Sequence, residues 1–323
     1  MRLATRDNGT PDGELIVVSR DGTRALAAAD WPSLLAAISD WSTAEPDLAA
    51  VAERLDAGAG EPLMADALLA PLPRTWQWLD GSAFQVHADL MQVAFDTDPI
   101  ATNKPLMYQG LSHRFFGPTE AVPFQTEADG IDFEGEFAVI VDAVPMGVSA
   151  SEALQHIRLI GQLNDWSLRA LAVPEMKSGF GFIQAKPACS MAPFVATPEE
   201  LGDAWQDGRV CLNLSIEWNG KRFGNANGRE MAYGFHDLIA HAAATRDLAA
   251  GTIVGSGTVA NAAYAEVGSS CISEQRAIEI IASGKPATAF MVFGDKVRME
   301  ALTPEGWAVF GAIEQSVVAA RRG

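Results

Sequence analysis

Basic residues are scarce in this chain. Against 41 aspartates and glutamates stand 23 lysines and arginines, a net charge of -18. That balance excludes nucleic acid and anionic membrane as partners, since both are bound through clustered Lys and Arg. It does not exclude a small anionic substrate, because a metal ion and a few cations can invert the field locally. Cysteine is also sparse: Cys189, Cys211 and Cys271 are odd in number and far apart, with no Cys-x-x-Cys. A zinc ribbon and a disulfide framework are thereby excluded, and a reducing compartment is implied. No run approaches the roughly 18 apolar residues of a membrane helix, and the opening segment MRLATRDNGTPDGE lacks an apolar signal. The expectation is a cytoplasmic protein. Repeats, heptads, a Gly-x-Ser-x-Gly elbow and phosphate-binding loops are absent too, the run Gly255-Ser256-Gly257 having the wrong spacing. His236 and His241 are five apart and offer no zinc pair on one helical face.

What is present is a chain of 323 residues, 48% hydrophobic, enough for one large domain and a small one. Residues 2–28 read as short strands with a hairpin turn at Asp21-Gly22. A helix opened by Pro32 carries Leu34, Leu35, Ile38 and Trp41, and a second after Pro46 carries Leu48, Val51 and Leu55. Gly58, Gly60, Pro71 and Pro73 mark a boundary, giving a small N-terminal α+β domain at 1–72 and a larger domain at 73–323. From Trp76 onward strands predominate. Ser149-x-x-Glu152 and Thr197-Pro198-Glu199-Glu200 carry capping-box patterns, Asn219-Gly220 joins two alternating runs as a hairpin, and 237–249 reads as a helix closed by Gly251. Further strands are expected over 288–317. Without regular βα alternation, the fold class is α+β with a mixed or antiparallel sheet.

The stretch 131–141 carries the strongest chemical signal. Read as one strand, it places Asp132, Glu134 and Glu136 on one face, followed there by Ala138 and Ile140, while Phe133, Phe137, Val139 and Val141 fill the other. Such a strand is buried at its far end, so its glutamates sit at the edge of a core. Carboxylates there require a cation or hydrogen-bond donors, and a hard metal ion held by oxygen ligands is the simplest compensation.

Other candidates follow in order. Asp80 and His87 are seven apart; Asp165 lies in Asn164-Asp165-Trp166-Ser167-Leu168-Arg169; Lys186 is the one charge in an aromatic, glycine-containing run; Gly255-Ser256-Gly257-Thr258 follows an apolar strand. Taken together, Asp-x6-His, Glu-x-Glu, Asn-Asp-Trp-Ser-x-Arg, the lysine and Gly-Ser-Gly-Thr resemble the fumarylacetoacetate hydrolase family over residues 75–318. The resemblance implies a mixed β-roll, a homodimer, and a divalent ion, Mg2+ or else Mn2+ or Ca2+, on Asp80, Glu134, Glu136 and Asp165. It further implies His87 as the base that activates water, oriented by a downstream glutamate, Glu274 or its competitor Glu266. Arg169, Lys186, Tyr108, Gly257 and Thr258 fall where the family places catalytic, substrate-binding and oxyanion-stabilising groups. The chain departs from the pattern at Ala172, where the family enzyme has glutamine, across the segment 170–181, and in a shorter N-terminal unit.

The reaction so implied is hydrolysis of a carbon-carbon bond in a 1,3-dicarbonyl acid, fumarylacetoacetate or a related acylpyruvate. His87 takes the proton from water, and Lys186 stabilises the oxyanion and protonates the leaving carbanion. Arg169 and Tyr108 hold the distal carboxylate. The alternative is decarboxylation, hydration or tautomerisation of a 2-oxo acid at the same metal site; a non-catalytic anion binder is disfavoured because it needs no base.

Overall fold

The computed structural model describes residues 1–99 and 102–321; the last two residues of the expected 73–323 segment lie outside them. The chain builds a mixed α+β structure around an eleven-stranded sheet and a five-stranded sheet. In spatial order the larger sheet runs Glu61–Pro62, Arg24–Ala27, Glu14–Val18, Arg2–Arg6, Val195–Ala196, Ile157–Asn164, Gly135–Val141, Ile253–Gly255, Trp78–Gly81 and Met107–Gly110, with Ser190–Met191 pairing off this path against Ile157–Asn164. Its pairs are antiparallel except that Ile253–Gly255 lies parallel to Trp78–Gly81. The smaller sheet runs Lys221–Asn227, Asn213–Trp218, Lys296–Leu302, Ala308–Ala319 and Val122–Phe124.

The strands of residues 1–72 form no sheet of their own. Arg2 pairs with Ala196 and Leu3 with Val195, so the N-terminal strands extend the sheet that carries the site. Their apolar partners also mix: Leu3, Leu15, Leu34, Trp41 and Leu48 share a core with Ala138, Ile140, Leu159 and Ile253. The other face of Gly135–Val141 presents Phe137, Val139 and Val141 to a second core between the two sheets.

Outside the stretch 131–141, local structure follows the sequence with four corrections. The helix expected from Pro32 is Leu34–Ser39, because Ser33 caps it by accepting the Ala36 N–H. The second helix starts at Trp41, not after Pro46: the buried face of Trp41, Ala44, Leu48 and Leu55 extends it backward, and Pro46 lies inside. Thr197 makes no side-chain cap, since its hydroxyl accepts from the Met1 ammonium instead. The helix expected at 237–249 is Phe235–Ala242, tightened into a 3-10 turn at Ala243–Thr245. Ser149 and Glu152 do form a capping box, and Asn219-Gly220, both at positive φ, joins Asn213–Trp218 to Lys221–Asn227. Among the described residues no helix is long and apolar enough to cross a membrane.

The stretch 131–141 is not one strand. It divides into Ile131–Asp132, paired with Ser167–Leu168, and Gly135–Val141, paired with Ile157–Asn164. At the break, Gly135 lets the second sheet come close: a Cβ there would lie 2.6 Å from Ile216 Cδ1. Glu134 therefore leaves the ladder and bridges to Cys271 instead.

Candidate active site

The site forms where three strands deliver carboxylates to one end of the larger sheet. Asp80 lies near the end of Trp78–Gly81, Glu136 near the start of Gly135–Val141, and Asp165 just past Ile157–Asn164. Between the first two runs Ile253–Gly255, and Gly255 pairs with both Asp80 and Ala138. Glycine is required there, because a Cβ would sit 2.3 Å from Asp80 Oδ1. One oxygen from each of Asp80, Glu136 and Asp165 lies within 4.8 Å of the others, and all three residues are buried.

Of these three carboxylates only Asp165 has a cation partner among the described residues. Glu136 accepts no hydrogen bond at either oxygen among the described residues. Burial, then the neighbouring Asp165, holds the Asp80 carboxyl well above its ordinary range; burial, then Asp80, does the same to Glu136. Asp165 is raised less, because burial is opposed by Lys186. Its Oδ2 accepts from Lys186 Nζ at 2.5 Å and from the Tyr108 hydroxyl at 2.8 Å, and its Oδ1 accepts from Cys189 Sγ at 3.0 Å.

Glu134, expected as a fourth ligand, stands apart from this trio. Its Oε2 accepts from Lys186 Nζ at 2.7 Å and its Oε1 from Arg169 Nη2 at 2.5 Å. Burial pushes its carboxyl up, but the two cations outweigh burial and hold it well below the ordinary range. Burial likewise opposes the Lys186 charge, and Asp165 and Glu134 more than reverse that, so the ammonium is kept. Its third N–H has no hydrogen-bond partner among the described residues. Lys186 Nζ also lies 5.5 Å from the centre of the Tyr108 ring, which forms a T-shaped pair with Phe182.

His87 sits in the first turn of Gln85–Phe95 and Glu274 in the first turn of Ile272–Ser283, two helices that pack together. His87 Nδ1 lies 2.8 Å from Glu274 Oε1, while Glu274 Oε2 accepts the Ser270 N–H at 2.9 Å. Glu266 is exposed on Tyr264–Val267, so the structure brings Glu274, and not Glu266, to the histidine. The Gly257 N–H is already used, donating to Asp80 Oδ1 at 3.2 Å, and the buried Thr258 Oγ1 has no partner among the described residues.

Sequence reasoning passed over three contributors. Asp132 accepts from Arg169 Nε at 2.8 Å; Cys189 touches Asp165; Asn164 Oδ1 accepts the Glu134 N–H at 2.9 Å, fixing the break in the strand. The alternation that singled out Glu134 and Glu136 already contained Asp132, and Cys189 lies three residues after Lys186.

An oxygen-only set with unpartnered buried atoms fits a hard divalent cation. Leaving Glu274 to His87, two cations, Lys186 and Arg169, stand against five buried carboxylates, and neither contacts Asp80 or Glu136.

Comparison with known proteins places this geometry. Residues 77–318 match the model described as fumarylacetoacetate (FAA) hydrolase C-terminal, and residues 1–74 match fumarylacetoacetase N-terminal domain 2. A 2,4-didehydro-3-deoxy-L-rhamnonate hydrolase from a Sphingomonas species is 27% identical over 163 residues, 50% of this chain and 54% of the relative. The chain spans about half the length of the curated relatives it matches. Among solved structures, maleylpyruvate hydrolase from Sphingobium sp. SYK-6, in complex with manganese(II) and pyruvate, is similar with a TM-score of 0.67 at 20% identity, covering 99% of this chain and 100% of that one. A 5-carboxymethyl-2-hydroxymuconate delta-isomerase from Mycobacterium smegmatis has a TM-score of 0.62 at 17% identity, with both chains covered completely. The family model spans most of the residues that build the site, and the chain belongs to the fumarylacetoacetate hydrolase family.

Proposed function

We propose that this chain is a metal-dependent hydrolase that cleaves a carbon-carbon bond in a 1,3-dicarbonyl acid, fumarylacetoacetate or a related acylpyruvate. The observation that carries the reading is the pairing of a histidine with a buried carboxylate, His87 with Glu274 at 2.8 Å, together with a cluster of three buried carboxylates of which only Asp165 has a cation partner among the described residues. Asp80, Glu136 and Asp165 would hold the ion, Mg2+ or Mn2+, and Glu134 would join them only by releasing a cation. When bound, a divalent cation there supplies Lewis-acid polarisation of the dicarbonyl and stabilises the enolate that departs.

The chain's own residues account for the remaining steps. Glu274 fixes the His87 ring so that its other nitrogen takes a proton from water, and the water oxygen adds to the carbonyl carbon. The free N–H of Lys186 steadies the oxyanion, a contribution of roughly 3 kcal/mol per donor in comparable sites. The carbon-carbon bond then breaks with its electron pair going to the leaving carbon. Because its two carboxylate partners hold Lys186 so firmly protonated, it acts as fixed charge, and His87 returns the proton to that carbon. The remaining N–H groups of Arg169 would hold the distal carboxylate, and Tyr108 would join them only by releasing Asp165.

A second reading is isomerisation of an oxo acid at the same site, favoured by the delta-isomerase among similar folds. One assay separates the two. Purified protein with fumarylacetoacetate and simpler acylpyruvates should show loss of the 1,3-dicarbonyl absorbance, dependent on Mg2+ or Mn2+, abolished by EDTA, and matched by two carboxylic acid products. His87→Ala should lower the rate by about 100-fold or more. Absorbance change without bond cleavage would move the assignment to the isomerase; a fully active His87→Ala protein would remove His87 from the mechanism.

A further inference from the structure

We infer that Asp132 is a positioning residue that ties Arg169 to the His87–Glu274 pair; the inference rests on the hydrolytic reading above. Asp132 is completely buried and its two oxygens hold two separate parts of the site. Oδ2 accepts from Arg169 Nε at 2.8 Å and from the Ser273 N–H at 3.0 Å, and Oδ1 accepts from the Ile272 N–H at 2.7 Å. Ile272 and Ser273 open the twelve-residue helix Ile272–Ser283, whose third residue is Glu274. The first free N–H groups of a helix need acceptors, and negative charge there is stabilised by the aligned peptide dipoles. Here the acceptor is a carboxylate 140 residues away in sequence.

One side chain therefore sets two positions. Through Ile272 and Ser273 it fixes the start of the helix, and with it the Glu274 carboxylate that holds His87. Through Arg169 Nε it fixes the guanidinium, whose Nη2 holds Glu134. Asp132 itself is anchored, being paired in register with Ser167. It belongs to neither the three-carboxylate cluster nor the His87 pair, so it acts only through its neighbours. A displacement of about 1 Å in a catalytic group can lower a rate by about 100-fold, and Asp132 is placed to prevent such a displacement on both sides at once.

A double-mutant cycle tests this. Asp132→Asn should lower kcat by roughly 10- to 100-fold while calorimetry shows unchanged metal affinity. Added to Glu274→Gln it should cost much less than it does alone, because both changes disable the same pair. Multiplying losses would indicate a merely structural role and overturn the inference. Should Asp132→Asn fail to fold, the Arg169→Lys and Glu274→Gln cycle reads the same link: coupled losses support it, and independent losses overturn it. A readout without substrate accompanies these. In Arg169→Lys the Ile272 and Ser273 amides should exchange with solvent about tenfold or more faster as their acceptor loosens, and unchanged exchange overturns the link. If the unaltered protein turns over no dicarbonyl acid, the hydrolytic reading fails and amide exchange alone judges Asp132. If it is active and Asp132→Asn keeps full kcat, the positioning role fails and the hydrolytic reading stands.

Discussion

Glu134 and Glu136 are two residues apart, both buried, and they end in opposite electrostatic states. Glu134 is held by Lys186 and Arg169 and its carboxyl is depressed. Glu136 faces Asp80 and Asp165, accepts no hydrogen bond among the described residues, and is raised. The difference does not come from burial, which is nearly equal at 4% and 0% exposure. It comes from where the cations are. A carboxylate already neutralised by fixed cations holds the architecture together, whereas one left beside its own kind is pushed towards its protonated form.

Removing the cation between the two groups is the strongest way to break this contrast. Lys186→Met takes the ammonium from Glu134 and Asp165 together, and should cost about 3–5 kcal/mol, the range for deleting one partner of a buried pair. Urea unfolding would measure it, and a cost under about 1 kcal/mol would mean that Glu134 is no better compensated than Glu136. Glu136→Gln acts with the opposite sign on the metal-free protein. It should raise the unfolding midpoint in EDTA by relieving repulsion from Asp80, yet weaken Mg2+ or Mn2+ affinity by about 100-fold or more, a larger loss than that for a supporting group around a metal. Calorimetric titration giving the unaltered affinity would remove Glu136 from the ligand set.

Acidity sharpens the contrast next. Asp80, Glu136 and Asp165 are raised above ordinary values of 3.8, 4.5 and 3.8, so the folded protein keeps protons that the unfolded chain has released. Their contribution to stability is full below about pH 4 and is lost as pH rises through the raised folded values. Glu134 runs the other way: its contribution is present above its ordinary 4.5 and is lost as pH falls through the depressed folded value. Melting temperatures in EDTA should therefore fall as pH rises above the ordinary carboxylate range, and saturating metal should remove the decline. A flat EDTA profile would show that the trio is compensated after all. The smallest effect is expected from Tyr108→Phe, which deletes one donor to Asp165 and should cost about 1.5 kcal/mol of stability.

Much of this site was legible in the chain, and what was not has a physical reason. Asp80 and Asp165 came forward as ligands only through the resemblance to the family, whereas Glu136 could be read from strand alternation as a carboxylate at a core edge. The contrast between Glu134 and Glu136 could not, because it depends on Arg169 and Lys186, 35 and 52 residues further on, and on the break at Gly135 that turns Glu134 out of the ladder. Asp132 escaped because two of its three donors are backbone N–H groups, which every residue type presents. The helix around Pro46 was misjudged because a local breaker was given more weight than the buried face from Trp41 to Leu55. The continuity of the larger sheet was hidden for a related reason: the pairing of Arg2 with Ala196 leaves no local signature in either segment.

That same pairing has a consequence for how the protein is made. Arg2–Arg6 finds its hairpin neighbour Glu14–Val18 almost at once during synthesis, but its other neighbour is 194 residues away. At a synthesis rate of roughly 5–20 residues per second, one edge of that hairpin stays open for about 10–40 s before its partner exists. Such edges recruit other chains, so the nascent protein passes through an interval of exposure that the finished sheet no longer reveals.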